Sequence, residues 1–382
     1  MADVAAGVRR SGTREQRATA LIFLVAGFCI AVWAPLIPFA KARLGIDEAE
    51  VGLLLLCLGF GSILAMPITG VMTTRYGCRA IIIGSVLVFA ACLPLLAVAP
   101  TFATLAISLA VFGAAIGTVD VAMNIQAVMV EKDSGRAMMS GFHGLYSLGG
   151  IVGAGGASGL LMLGLSPLAV ATSFGVLAVL VLIVSFIGLL PYGNHDPHAP
   201  PLVLPRGFVM FIGLLCFITF LSEGAILDWS ALFLIDERAF DREAAGYGYA
   251  CFAAAMTLGR LSGNWIVTHF GGFRVMVTGG LISAIGFALA VLVPVPMVAL
   301  FGFLLVGLGA SNIVPVLFSA AGHQTAMPPS LAIAAVTTLG YAGVLVGPAA
   351  IGLIADRSSI GVAFAMLAAA MVFVAASGKV AR

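Results

Sequence analysis

Charge is what this chain most lacks. Only 9% of its 382 residues are Asp, Glu, Lys or Arg, against about 25% in an ordinary soluble domain. Eighteen basic and sixteen acidic side chains cannot clothe a water-soluble globule of this size, so soluble enzymes and nucleic-acid binders are excluded and no nucleic acid is expected as a partner. A net charge of +2 does not point to an anionic partner either. Cysteine is also scarce. Cys29, Cys57, Cys78, Cys92, Cys216 and Cys251 lie in or beside apolar runs, without metal-ligand or disulfide-frame spacing, and read as small buried hydrophobes. His-Glu-x-x-His, Walker and dinucleotide-type glycine patterns are missing. No metal, no cofactor and no enzymatic activity are therefore expected.

What is there is hydrophobicity: 62% of residues are apolar and the mean hydropathy is +1.17. About 20 apolar residues cross a bilayer as a helix. Twelve stretches qualify, at roughly 18–41, 50–73, 80–98, 103–129, 138–163, 168–190, 207–235, 245–268, 275–293, 297–321, 328–354 and 359–377. The expected fold is an all-α, twelve-span integral membrane protein, too full of spans to hide a soluble domain. The first run is long, has no small-residue cleavage site and ends in Pro35, Pro38 and Lys41, so it reads as a span and not a cleaved signal. Lys and Arg set the orientation. Segments on the N-terminal side hold twelve of them, among them Arg9, Arg10, Arg75, Arg79, Lys132, Arg274 and Arg382. The opposite loops hold five, Lys41, Arg43, Arg238, Arg242 and Arg357, and Arg260 alone lies inside a span. Both termini are expected in the cytoplasm, in a bacterial inner membrane.

A shift of 194 positions superimposes Asp47 on Asp241, Gly52 on Gly246, Gly77 on Gly271, Gly113 on Gly307, Gly149 on Gly343 and Gly153 on Gly347. The chain is thus an internal repeat: a six-helix bundle over 1–190, a proline-rich linker over 191–206 and a second bundle over 207–382. His195 and His198 in the linker read as solvated residues, not a metal site. Two six-helix bundles related by an axis along the membrane normal are the arrangement of major facilitator transporters. The stretch from Gly70 through Arg75 and Gly77 to Arg79 resembles that superfamily's loop signature. Thr74 stands where the family usually has Asp, which puts that residue's salt bridge in doubt. Gly259-Arg260 through Gly271 to Arg274 is a degenerate second copy. Over its whole length the chain resembles the major facilitator superfamily. Gly117 through Asp120 to Asn124, and Glu223 through Asp228 to Trp229, are more loosely similar to bacterial permeases grouped near the fucose:proton symporter. The helix-4 Arg and helix-5 Gly-Pro of the drug:proton antiporters are absent.

Three acidic residues, Asp120, Glu223 and Asp228, fall inside predicted spans, and the others fall in loops or tails. Intramembrane carboxylates normally face a cavity or a partner and are functional by default. The resemblance implies that helices 1, 4, 7 and 10 line a central cavity, which puts Asp120 and Glu223 on opposing walls. They are candidates for proton coupling, with Asp228 and with His143 as a relay to Asp120; the alternative is structural pairing with Arg260 or a backbone donor. Asp120 and Asn124 share a face at i and i+4. Asn124, Tyr146, Asn312, Trp33 and Trp229 are candidate solute contacts, the tryptophans being equally readable as interfacial belt residues. Gly149, Gly153, Gly343 and Gly347 are expected to permit close packing and to let the halves rock, and Arg260 is expected to be structural. The function expected is secondary transport of a small polar solute, possibly a sugar, by alternating access and proton symport, by a monomer whose partners are that solute, protons and lipid. The alternatives are a proton-coupled exporter of small amphipathic compounds, a channel, or a non-transporting receptor or scaffold.

Overall fold

A computed structural model describes residues 12–193, 204–240 and 246–381. Arg9, Arg10, His195, His198, Asp241, Arg242, Arg382 and the middle of the linker lie outside the described residues. Eleven α-helices follow in order: α1 Thr13–Leu44, α2 Glu48–Val98, α3 Phe102–Ser134, α4 Met139–Met162, α5 Pro167–Ser185, α6 Phe208–Arg238, α7 Tyr247–Leu292, α8 Pro296–Ala310, α9 Ile313–His323, α10 Pro329–Arg357 and α11 Ile360–Ala376. The starts are written in the sequence. Asp47 and Thr101 open α2 and α3 with reciprocal capping boxes, Ser166 and Ser359 cap α5 and α11, and prolines occupy the first turns of α5, α8 and α10.

Eleven described helices make twelve spans because two of them fold back and two others join into one span. At 51 residues, α2 would extend about 77 Å, more than twice the hydrocarbon thickness of about 30 Å. It folds back at Gly77, whose φ of 82° and ψ of 158° interrupt the helix. In α7 the turn comes at Gly271, with φ 74° and ψ 155°. The two turns are repeat mates, and both use backbone angles that a side chain disfavours. Conversely, α8 and α9 form one span broken at Ser311 and Asn312.

The repeat extends into packing. A Cβ on Gly113 would run into the carbonyl of Leu58, and one on Gly307 into that of Phe252; both pairs are offset by 194. Arg43 donates from Nε to Ala99 O at 3.1 Å and from Nη2 to Leu96 O at 3.0 Å. Arg238 donates to Ala290 O at 2.7 Å and Val291 O at 2.6 Å. Each guanidinium satisfies the last carbonyls of its half's third span, groups that have no partner within their helix. Sequence reading counted these two only as loop charges.

Buried apolar residues form two clusters. One is built almost entirely from α1–α5, with Val314, Phe318, Ile333 and Ala334 added from the second half; the other is built from α6–α11. Gly149 and Gly153 pack α4 on the backbone of α1 at Leu24 and Phe28, and Gly343 and Gly347 pack α10 on α6 at Phe217 and Leu221. These four glycines join helices within one half. They do not lie where the halves meet, because the small-residue stripes face each half's own partner helix.

Candidate functional site

Between the halves lies a cavity of about 230 Å³, lined from the first half by Ile30, Asp120, His143 and Tyr146 and from the second by Phe220, Glu223, Tyr249, Arg260, Phe318 and Tyr341, among others. It is smaller than the roughly 300–1,000 Å³ of pockets for drug-sized ligands. Its walls combine apolar rings with three phenols, two carboxylates and one guanidinium.

On the first-half wall, Asn124 donates from Nδ2 to the carbonyl of Asp120 at 2.8 Å and to its Oδ1 at 3.5 Å. His143 Nε2 lies 3.2 Å from Asn124 Oδ1. That oxygen only accepts, so Nε2 carries the proton. Phe23 and Phe318 hold the imidazole between them, with centroids 5.3 and 5.7 Å away. The direct His143–Asp120 relay expected from sequence is not what the geometry provides, because the Asn124 amide stands between the two and His143 orients that amide. Asp120 shares the cavity wall with the phenols of Tyr146 and Tyr341.

On the second-half wall, Arg260 pairs with Glu223 at 3.3 Å. The guanidinium also donates to Ser147 Oγ of α4 at 3.1 Å and to the carbonyl of Ser311 at 3.4 Å. Arg260 therefore sits in the cavity wall and touches both halves. Glu223 is compensated by it, whereas Asp120 has no ion pair among the described residues. Asp228 is exposed and is not part of the cavity lining.

Three expected solute contacts lie elsewhere. Trp33 is 4% exposed, enclosed in the first half's apolar core. Trp229 packs beneath Gly352 of α10. Asn312 staples the α8–α9 break, donating to Gly259 O at 2.9 Å. The sequence missed Tyr249 and Tyr341, single phenols in apolar runs, and it missed Glu131. Helix α3 continues to Ser134, so Glu131 is buried, 8% exposed. Its Oε2 accepts from the Met138 and Met139 amides at 2.7 and 2.8 Å, capping the start of α4.

The face carrying the termini is closed by contacts between halves. Ser319 of α9 donates to Glu131, and Lys132 donates to the carbonyl of Gly322. Asn264 of α7 accepts from the Gly141 amide of α4 at 2.7 Å. Thr74 of α2, where the superfamily usually has Asp, meets Ser330 Oγ of α10 at 2.7 Å, so a hydroxyl pair replaces the carboxylate. A Cβ on Gly70 would lie 2.7 Å from Ala334 Cβ. Arg79 donates to Leu189 O at 2.8 Å and stacks over Phe186, pinning the end of the first half. Arg75 is exposed, beside Tyr76.

The sequence profile of the Major Facilitator Superfamily matches residues 19–325. The chain belongs to the major facilitator superfamily. This major facilitator protein is 57% identical over 369 residues to an uncharacterised MFS-type transporter of Yersinia pestis, covering 96% of each chain. Its fold is similar to that of the E. coli fucose:proton symporter, with a TM-score of 0.81 and 14% identity over 96% of this chain and 98% of that one. A second structure of that transporter, in the outward conformation, gives 0.82 at the same identity and coverage. It is a multi-pass integral membrane protein of a secondary-transporter family, a family that is generally not enzymatic and whose fold implies a small-molecule substrate.

Proposed function

We propose that this transporter imports a small polar solute by proton symport, with Asp120 as the coupling carboxylate. The observation that carries this reading is the asymmetry of the cavity. Glu223 is compensated by Arg260, while Asp120 is buried with the Asn124 amide as its side-chain donor and with no ion pair among the described residues. A carboxylate whose charge the site leaves unbalanced is suited to taking up and releasing a proton once per cycle. The phenols and rings of the lining suit a neutral polyhydroxy solute, and a sugar is the first class to test. The missing antiporter signatures favour import over export. With the termini in the cytoplasm of an inner membrane, closure on the termini's face supports an outward-facing state. The halves 1–190 and 207–382 would rock as units of a monomer about the linker 191–206.

The test is uptake of a panel of labelled sugars into proteoliposomes under an imposed pH gradient. Accumulation driven by inward proton flow is expected. Accumulation driven by outward flow would make the protein an antiporter, and flux without counterflow would make it a channel.

A further inference from the structure

The halves meet on the termini's face along two seams that are repeat mates, and only one of them closes fully. In the α2–α10 seam, Thr74 donates to the carbonyl of Gly70 at 2.9 Å and its hydroxyl meets Ser330 Oγ at 2.7 Å. The 194-residue mates of Gly70, Thr74 and Ser330 are Asn264, Thr268 and Arg136. The α4–α7 seam keeps the same frame. Thr268 donates to the carbonyl of Asn264 at 2.7 Å, and Asn264 accepts from the Gly141 amide at 2.7 Å. No bond joins Thr268 to Arg136 among the described residues; both line a cleft of about 630 Å³ instead.

The cleft has walls from both halves, Gln16 and residues 135–138 from the first and Asn264, Trp265, Thr268 and His269 from the second. Arg136 is exposed there, and no carboxylate is among the lining residues. Glu15 and Asp133, the nearest acids along the chain, do not line it. His269 Nδ1 lies 2.8 Å from the Trp265 carbonyl. That oxygen only accepts, so Nδ1 carries a proton and Nε2 is left for a ligand. The imidazole stacks on the Trp265 indole with centroids 4.5 Å apart. Deeper along α7 the same face turns apolar. Leu258, Leu261, Trp265 and His269 fall at i, i+3, i+7 and i+11, within about 80° of arc, and all four are exposed. Leucines, then an indole, then an imidazole and a guanidinium follow the order of a bilayer from acyl chain to headgroup.

We propose that the α4–α7 cleft binds the phosphate headgroup of an anionic phospholipid, whose acyl chain lies along Leu261 and Leu258. Arg136 supplies the charge, and a charge-assisted bond from a guanidinium to phosphate is among the stronger hydrogen bonds available. Trp265 anchors the interface, with Asn264 and His269 as further donors. A zwitterionic headgroup would bring a cation that no carboxylate of the lining can meet, so the charge balance selects an anionic lipid. A soluble phosphate would satisfy the same donors but would leave the leucine stripe unused. Because the walls belong to both halves, a headgroup seated here bridges them where the mate seam has its direct hydroxyl contact.

Trp265 reports the site directly. The full chain carrying Trp33→Phe and Trp229→Phe, which leaves Trp265 as the sole tryptophan, is reconstituted in phosphatidylcholine vesicles with rising fractions of bromine-labelled lipid. Brominated phosphatidylglycerol should half-quench the fluorescence at about one-fifth of the mole fraction that brominated phosphatidylcholine needs, the worth of one cation at an anionic surface. Arg136→Gln should erase that preference. Arg75→Gln removes the same charge from an exposed position outside the cleft and should keep it. Equal quenching by the two lipids overturns the site. An equal loss in Arg75→Gln also overturns it, by reducing the preference to diffuse surface attraction. If glycerol phosphate abolishes the preference at constant ionic strength, the cleft takes a soluble phosphate and the lipid assignment is overturned. Thermal midpoints verify that each variant is folded. Native mass spectrometry of retained phosphatidylglycerol makes the same Arg136 and Arg75 comparison in the chain with all three tryptophans, should the sole-tryptophan protein not fold.

Discussion

At the residue scale, the cavity holds two carboxylates in unlike surroundings, and replacing each should have a different consequence. Asp120→Asn keeps the shape and the Asn124 contact but removes the titrating group. Proton-driven accumulation should vanish while solute counterflow persists, both measured in the same proteoliposomes. Glu223→Gln leaves Arg260 buried without its counter-charge, a change that costs about 3–5 kcal/mol when a buried pair loses one member. We expect a large drop in thermal stability and in counterflow together. Full accumulation by the Asp120→Asn protein would move the coupling site to Glu223. The sequence marked both acids, because ionisable residues stand out in an apolar run. Tyr341 and Tyr249 gave no such signal, since a tyrosine in a span is ordinary until the packing of helices places it in a cavity with a carboxylate.

At the scale of elements, the two reversal glycines make a controlled pair. Gly77 and Gly271 share a positive φ, but a Cβ on Gly77 would strike the carbonyl of Pro191, whereas a Cβ on Gly271 meets nothing within 4 Å. Gly271→Ala should cost only the backbone strain, about 1–3 kcal/mol. Gly77→Ala should cost clearly more, because the chain at Pro191 must also move. Thermal unfolding midpoints of the two variants rank them, and equal losses would refute the steric account. The same reasoning applies to Gly153→Leu. With the backbone of Phe28 pressed against that position, the substitution should separate α1 from α4 and lower stability, not arrest a well-folded carrier.

At the scale of the whole molecule, Glu131 couples the fold of one half to the closure of both. Ser319→Ala removes only the bond between halves and leaves the cap on α4. It should shift the protein toward a state open on the face that carries the termini, with little change in thermal midpoint. Glu131→Gln also loses an acceptor for the Met138 and Met139 amides and should destabilise by about 1–3 kcal/mol. Labelling of a cysteine introduced at Ser140, on the cavity wall at the termini's face, separates the two effects from a common loss of folding. Unchanged labelling in Ser319→Ala would show that the latch carries no conformational energy.

The sequence by itself determined the membrane, the twelve spans and the repeat, because hydropathy over about 20 residues and glycines at a constant offset are local properties of the chain. It also singled out Asp120, Glu223 and Arg260. What only the tertiary structure decided is which of these groups meet. Glu223 takes Arg260, Asp120 takes Asn124, Trp33 is enclosed in its own bundle, and Glu131 leaves its expected loop to become a buried cap. Each outcome depends on the rotation and closeness of neighbouring helices. An apolar span buries equally well at many rotations about its axis, so its own residues do not specify which neighbour its polar group will face.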